Sequence, residues 1–95
     1  MINVRVRYFG LLREITGKKE ENAYLEGGIE IGDLLEKLTE KYGEKFKRHI
    51  FAGHNEVRES LVFLLNKKNL VGKNILNHLL SDEDTLSILL PVEGG

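Results

Sequence analysis

Cysteine is absent from the 95 residues, and that absence closes several routes at once. No disulfide can staple the fold and no thiolate can hold zinc, so stability must come from an apolar core. Nor can the chain carry an acyl group or a sulfur atom on a thiol of its own. Tryptophan is missing too, and proline occurs once, at Pro91. Charge of one sign is not in excess: 14 Lys and Arg meet 15 Asp and Glu, a net charge of −1 spread along the chain. A nucleic-acid-binding protein would concentrate basic charge, and none is concentrated here. No apolar run approaches the roughly 20 residues that span a bilayer. The N-terminus alternates Val and Arg, unlike the continuous apolar stretch of a secretory signal. The expectation is a cytoplasmic protein with neither nucleic acid nor membrane as partner.

What is present reads as one domain over residues 1–90, followed by an extended tail over 91–95. A chain of this length buries about 60–68% of the surface its unfolded form exposes, enough for one modest core. Ile2, Val4, Val6 and Tyr8 alternate with Asn3, Arg5 and Arg7, the period-two pattern of a half-buried strand. Leu11 to Ile15 suggests one helical turn. Asn22 to Glu26 can pair back on the first strand with Ala23 and Leu25 inward, and Gly27-Gly28 ends that hairpin.

Ile31, Leu34, Leu35, Leu38 and Tyr42 share one helical face, and Gly43 is a natural C-terminal cap. Glu30 is a weak N-terminal cap, while Asp33 suits the positive end of the helix dipole and can pair with Lys37. Phe46, Ile50 and Phe51 suggest a second short turn within 44–59. Leu61 to Leu65 forms a continuous apolar strand that ends at Asn66-Lys67-Lys68-Asn69. Ile75 to Leu80 reads as a short strand or single turn, and Thr85 to Leu90 as a last strand closed by Pro91. The order gives an α+β roll, a mixed sheet with one main helix across one face. A right-handed crossover sets either the strand at 61–65 or the last strand parallel to the first. One helix covers one face only, so the other face of 61–65 is either covered by 44–59 or left open for a partner.

Enzyme chemistry finds little support. His49, His54 and His78 lack metal-ligand spacing. Gly17-Lys18 and Gly72-Lys73 lack the first glycine of a phosphate-binding loop, with Leu12 and Lys67 in its place. Asp82-Glu83-Asp84 reads as a solvated turn, and Ser60, Ser81 and Ser87 have no triad context.

The C-terminus is different. A terminal glycine pair arises by chance in about 0.5% of chains, and here it directly follows a core strand. A carboxylate used as an electrophile must enter a narrow site in another protein and accept attack at its carbonyl. Gly94 and Gly95, without Cβ atoms, can follow such a channel and leave that carbonyl open. Pro91, Val92 and Glu93 would enter with them.

Val6-Arg7-Tyr8-Phe9-Gly10-Leu11-Leu12-Arg13-Glu14-Ile15-Thr16-Gly17 resembles the opening motif of the MoaD family, the sulfur-carrying small subunit of molybdopterin synthase. The helix Ile31 to Leu38 is similar to that family's next segment, and Leu89-Leu90-Pro91-Val92-Glu93-Gly94-Gly95 to its ending. The resemblance implies a β-grasp, ubiquitin-like fold. It implies that a ubiquitin-activating-type enzyme (MoeB-like) uses ATP to adenylate the Gly95 carboxylate, and that sulfur then replaces one oxygen to give a thiocarboxylate. The charged tail would enter the large synthase subunit (MoaE-like), where sulfur passes to the precursor of the molybdenum or tungsten pterin cofactor.

The chain would then have no catalytic residue, metal or resident cofactor of its own; it would be the sulfur-donor subunit of an enzyme. Some relatives are instead protein modifiers joined through the terminal glycine to a target lysine, and that alternative stays open. So does a plain interaction domain with an incidental tail. Phe63 or Leu65 is a candidate for an apolar docking face, with Arg5 and Arg7 nearby on the polar side of the sheet; ordinary core for the first two and ordinary solvated surface for the arginines stay open beside it.

Overall fold

The computed structural model describes residues 1–54, 56–71 and 74–90. Strand β1 (Ile2–Tyr8) places Val4, Val6 and Tyr8 in the core and turns Arg5 and Arg7 to solvent, as its alternation requires. A single helical turn, α1 (Leu11–Thr16), leads into β2 (Glu20–Leu25), which pairs antiparallel with β1. Gly17 closes α1 at φ 75°, where its N–H donates to the Arg13 carbonyl at 2.8 Å. Strand β2 starts before Asn22, so Glu21 as well as Ala23 and Leu25 lies on the inward face, opposite Val6.

Helix α2 (Ile31–Tyr42) buries Ile31, Leu34, Leu35 and Leu38, which hold it across the sheet. Its start is better secured than Glu30 suggests. The Asp33 carboxylate turns back to accept the Glu30 N–H at 3.0 Å. Asp33 therefore does not form the expected ion pair with Lys37: N-terminal capping takes the carboxylate instead. Gly43 ends the helix at φ 86°, with its N–H on the Thr39 carbonyl at 2.7 Å.

Segment 44–57 becomes α3 (Glu44–Ile50) and a small hairpin of β3 (Phe51–Gly53) and β4 (Glu56–Val57). Phe46 and Ile50 are fully buried, and the Phe46 ring meets Tyr8 edge-on at 6.5 Å. Burying two such side chains is worth about 1.5–3 kcal/mol each, which fixes α3 on the same side of the sheet as α2. Helix α3 thus thickens the covered face of the sheet, and among the described residues no helix lies on the other face.

Strand β5 (Val62–Leu65) is joined to β6 (Lys68–Leu70) by the two-residue turn Asn66-Lys67, both at positive φ. That geometry matches the right-handed twist of a hairpin. Residues 75–77 form a 3₁₀ turn that lies across the start of α2. A Cβ on Gly32 would stand 3.0 Å from the Leu76 carbonyl oxygen, so glycine permits this approach. Backbone bonds from Ile31 to His78 (2.9 Å) and from Leu80 to Ile29 (3.0 Å) complete it.

Strand β7 (Thr85–Leu89) closes the sheet in the order β2-β1-β7-β5-β6. Of the two candidates for the parallel neighbour of β1, it is β7; β5 runs antiparallel to β7. The fold is a β-grasp-like mixed sheet of five strands with its helices on one face. Among the described residues, no helix is long and apolar enough to cross a membrane.

Candidate functional site

The expected reactive end, Pro91, Val92, Glu93, Gly94 and Gly95, lies outside the described residues. Its root does not. Because β7 runs parallel to β1, with Tyr8 beside Ile88, the end of β7 emerges next to the turn that follows β1. A Cβ built on Gly10 in that turn would lie 3.9 Å from the Leu90 carbonyl oxygen. Phe9, half-buried just before it, is flanked by two guanidiniums: Arg7 stands 5.4 Å and Arg13 5.1 Å from its ring centroid. Arg13 Nε also donates to the Tyr8 carbonyl at 2.8 Å, which ties α1 to the end of β1. Cation–π contacts of this kind hold two positive charges in place beside the root of the tail.

The open face of the sheet leads up to this point. Strand register aligns Glu20, Arg7, Ser87, Leu64 and Asn69 in one row across five strands, with Val62 beside Leu89 in another. Arg5 pairs with Asn22 on one side and Thr85 on the other. The face is therefore cationic over β1 and aliphatic at Val62, Leu64 and Leu89, with Thr85 and Ser87 of β7 between. Ser87, small and buried, sits between the two halves. Arg5 and Arg7 each come within 3.6 Å of Glu20, and both side chains are about half-exposed. Ion pairs this open are worth at most about 1 kcal/mol, so the guanidiniums remain available to a competing carboxylate.

Phe63 and Leu65 are a correction. Both face the core, Phe63 fully buried and Leu65 nearly so, because β5 alternates and its odd-numbered positions point beneath α2. Val62 and Leu64 are the half-buried side chains that β5 offers to the open face. Of the two readings left open for Phe63 and Leu65, docking face and ordinary core, the second holds; a strand apolar on both sides gave no sign of which parity is buried. Sequence reasoning also passed over Phe9 and Arg13, whose spacing of four was the available signal.

A second cluster sits at the opposite edge. The Glu21 side chain is about 10% exposed, and its carboxylate accepts four donors. Tyr8 Oη (2.6 Å) and Tyr42 Oη bind one oxygen; Lys41 Nζ (2.7 Å) and Lys18 Nζ (3.3 Å) bind the other. Burial alone would push this carboxyl up. The hydrogen bonds from Lys41, Tyr42, Tyr8 and Lys18 together outweigh burial and bring it down to about 2. The Tyr8 phenol is pushed far above its ordinary value, chiefly by burial and then by Glu21, and so stays a donor. This carboxylate ties edge strand β2 to the end of α2. Asp82 and Asp84, weighed above as a turn, serve the backbone: Asp82 accepts the Asn3 N–H at 2.8 Å and Asp84 the Ser81 N–H at 2.7 Å.

The chain resembles known proteins over its whole length. A sequence model of the ThiS family matches residues 6–95. Small archaeal modifier protein 3 of Haloferax volcanii is 29% identical over 94 residues, covering 99% of this chain and all of that one. The solution structure of small archaeal modifier protein 1 from Methanosarcina acetivorans superposes with a TM-score of 0.80 at 35% identity, covering all of this chain and 98% of that one. A Pyrococcus furiosus chain described as a candidate molybdopterin converting factor, subunit 1, gives 0.76 at 26% identity, with 97% and 100% covered. This chain belongs to the ThiS family, among ubiquitin-like sulfur carriers and modifiers.

Proposed function

We propose that the chain presents its Gly95 carboxylate to an ATP-using adenylating enzyme in the cytoplasm and works as a carrier of activated acyl chemistry. A carboxylate oxygen attacks the α-phosphorus of ATP, pyrophosphate leaves, and the acyl carbon becomes open to a nucleophile. With sulfur as that nucleophile, AMP departs and a thiocarboxylate results, which can donate sulfur for molybdopterin or tungsten-pterin synthesis in a large synthase subunit. Family membership up to residue 95 supports this reading. The observation that carries it is the root of the tail, where the Leu90 carbonyl lies by Gly10, the residue after Phe9 and its two flanking guanidiniums. A partner that grips Arg5, Arg7, Leu64 and Val62 would receive the tail at a fixed distance and direction. Pro91 to Gly95 would then extend into its active site.

The names of two similar relatives, both small archaeal modifier proteins, favour a second fate with equal weight: attack by a target lysine, giving an isopeptide at Gly95. Both fates share the adenylation step. Incubation with an adenylating enzyme, ATP and a sulfur source separates them by intact mass. An oxygen-to-sulfur exchange on the free chain is expected for the carrier, and lysine-linked adducts ending in Gly95 for the modifier. Neither product with an enzyme active on another family member would overturn the proposal.

A further inference from the structure

We infer that Glu21 selects which of the chain's own lysines can be acylated, withholding Lys41 and leaving Lys37, one turn earlier on α2, open. Acylation forms a bond between the lysine nitrogen and the acyl carbon. The nitrogen supplies the electron pair and sheds a proton, and the leaving group departs with the electrons of its old bond. An ammonium has no free pair, so a lysine held as an ammonium does not react.

Lys41 is held that way. Its Nζ lies 2.7 Å from Glu21 Oε1 and 5.4 Å from the Tyr42 ring centroid, and Lys18 Nζ, 3.3 Å from the same oxygen and 5.9 Å from that ring, is the other cation at the cluster. The carboxylate is fixed in turn by the hydroxyls of Tyr8 and Tyr42, so it cannot swing away with the lysine. Hydrogen bonding to Glu21 raises the Lys41 ammonium well above the ordinary lysine value. Access is not what protects it, for its side chain is 51% exposed. Lys37 is exposed on the same helix and forms no ion pair among the described residues, since Asp33 is committed to the cap.

The consequence rests on the reading of an activated Gly95. A second activated copy would join the chain at Lys37 or a similarly open lysine, and not at Lys41, whose neutralisation would break the Glu21 cluster. The chemistry itself can be tested without any activating enzyme. Acetylation of the full chain by the N-hydroxysuccinimide ester of acetic acid, followed lysine by lysine in peptide mass spectra, should leave Lys41 at least about tenfold slower than Lys37 near pH 8. Tenfold corresponds to one unit of pKa. Raising the pH should close the gap, with the Lys41 profile displaced upward. In E21Q the two rates should agree within about twofold. Equal rates in the native chain overturn the inference. So does a gap that survives high pH, since that would reflect obstruction, or one that survives in a folded E21Q.

Discussion

Glu21 is the residue on which the physics bears most directly. A carboxylate this enclosed is tolerable only because four donors saturate its oxygens. Its folded value of about 2 lies below the ordinary 4.5. The stabilisation it gives is therefore complete above the unfolded value and is lost as pH falls toward the folded one. E21Q should destabilise the fold by on the order of 2 kcal/mol at neutral pH. In urea titrations at stepped pH, the gap between E21Q and wild type should narrow steadily below about 4.5; a constant gap would deny Glu21 its charge. Parity on β5 allows an equally simple contrast. F63A should cost about 3–5 kcal/mol because it empties a core site. L64S should cost much less and weaken binding to an adenylating enzyme, measured by calorimetry. Glu21 was hard to find in advance because a glutamate near a turn reads as solvent-facing. Its inward direction appears only once β2 begins at Glu20 and the C-terminal end of α2 lies over it.

At the scale of elements, legibility followed periodicity. The alternation of β1 and the apolar face of α2 placed both correctly, since each pattern has one buried side and one wet one. Strand β6 was hidden because its turn is Asn66-Lys67, where a glycine in second position would have announced a hairpin. Lys67 sits at φ 79°, a conformation that an L side chain adopts at a cost of about 1 kcal/mol. K67G should therefore raise stability by about that amount in chemical denaturation, despite the added freedom of the unfolded chain; a loss would show that Lys67 makes a compensating contact. The β3–β4 hairpin carried no readable signal, being three residues against two. Its existence follows from the burial of Phe46 and Ile50, which dictates where the chain leaves α3.

The whole molecule has two unlike faces. Helices, hairpin and 3₁₀ turn crowd onto one side of the sheet, while the other keeps its arginines and half-buried aliphatics open and ends where the tail begins. The mixed α+β architecture was legible from the order of elements; the expectation of a reactive end drew on the terminal glycines together with the family resemblance, since the pair alone carries it only weakly. The open side of β5 was not legible, because which side of that strand is buried depends on α2 and α3 together. Removing Gly94 and Gly95 should leave the circular dichroism and the urea midpoint of the domain unchanged, since both lie beyond the last core strand. It should abolish every product of activation.

Pyrophosphate exchange tests the central claim most directly. With an adenylating enzyme and ATP, the full-length chain should drive exchange of labelled pyrophosphate into ATP. The same chain with its terminal carboxylate amidated should drive none. Undiminished exchange with the amidated chain would show that Gly95 is not the group being activated.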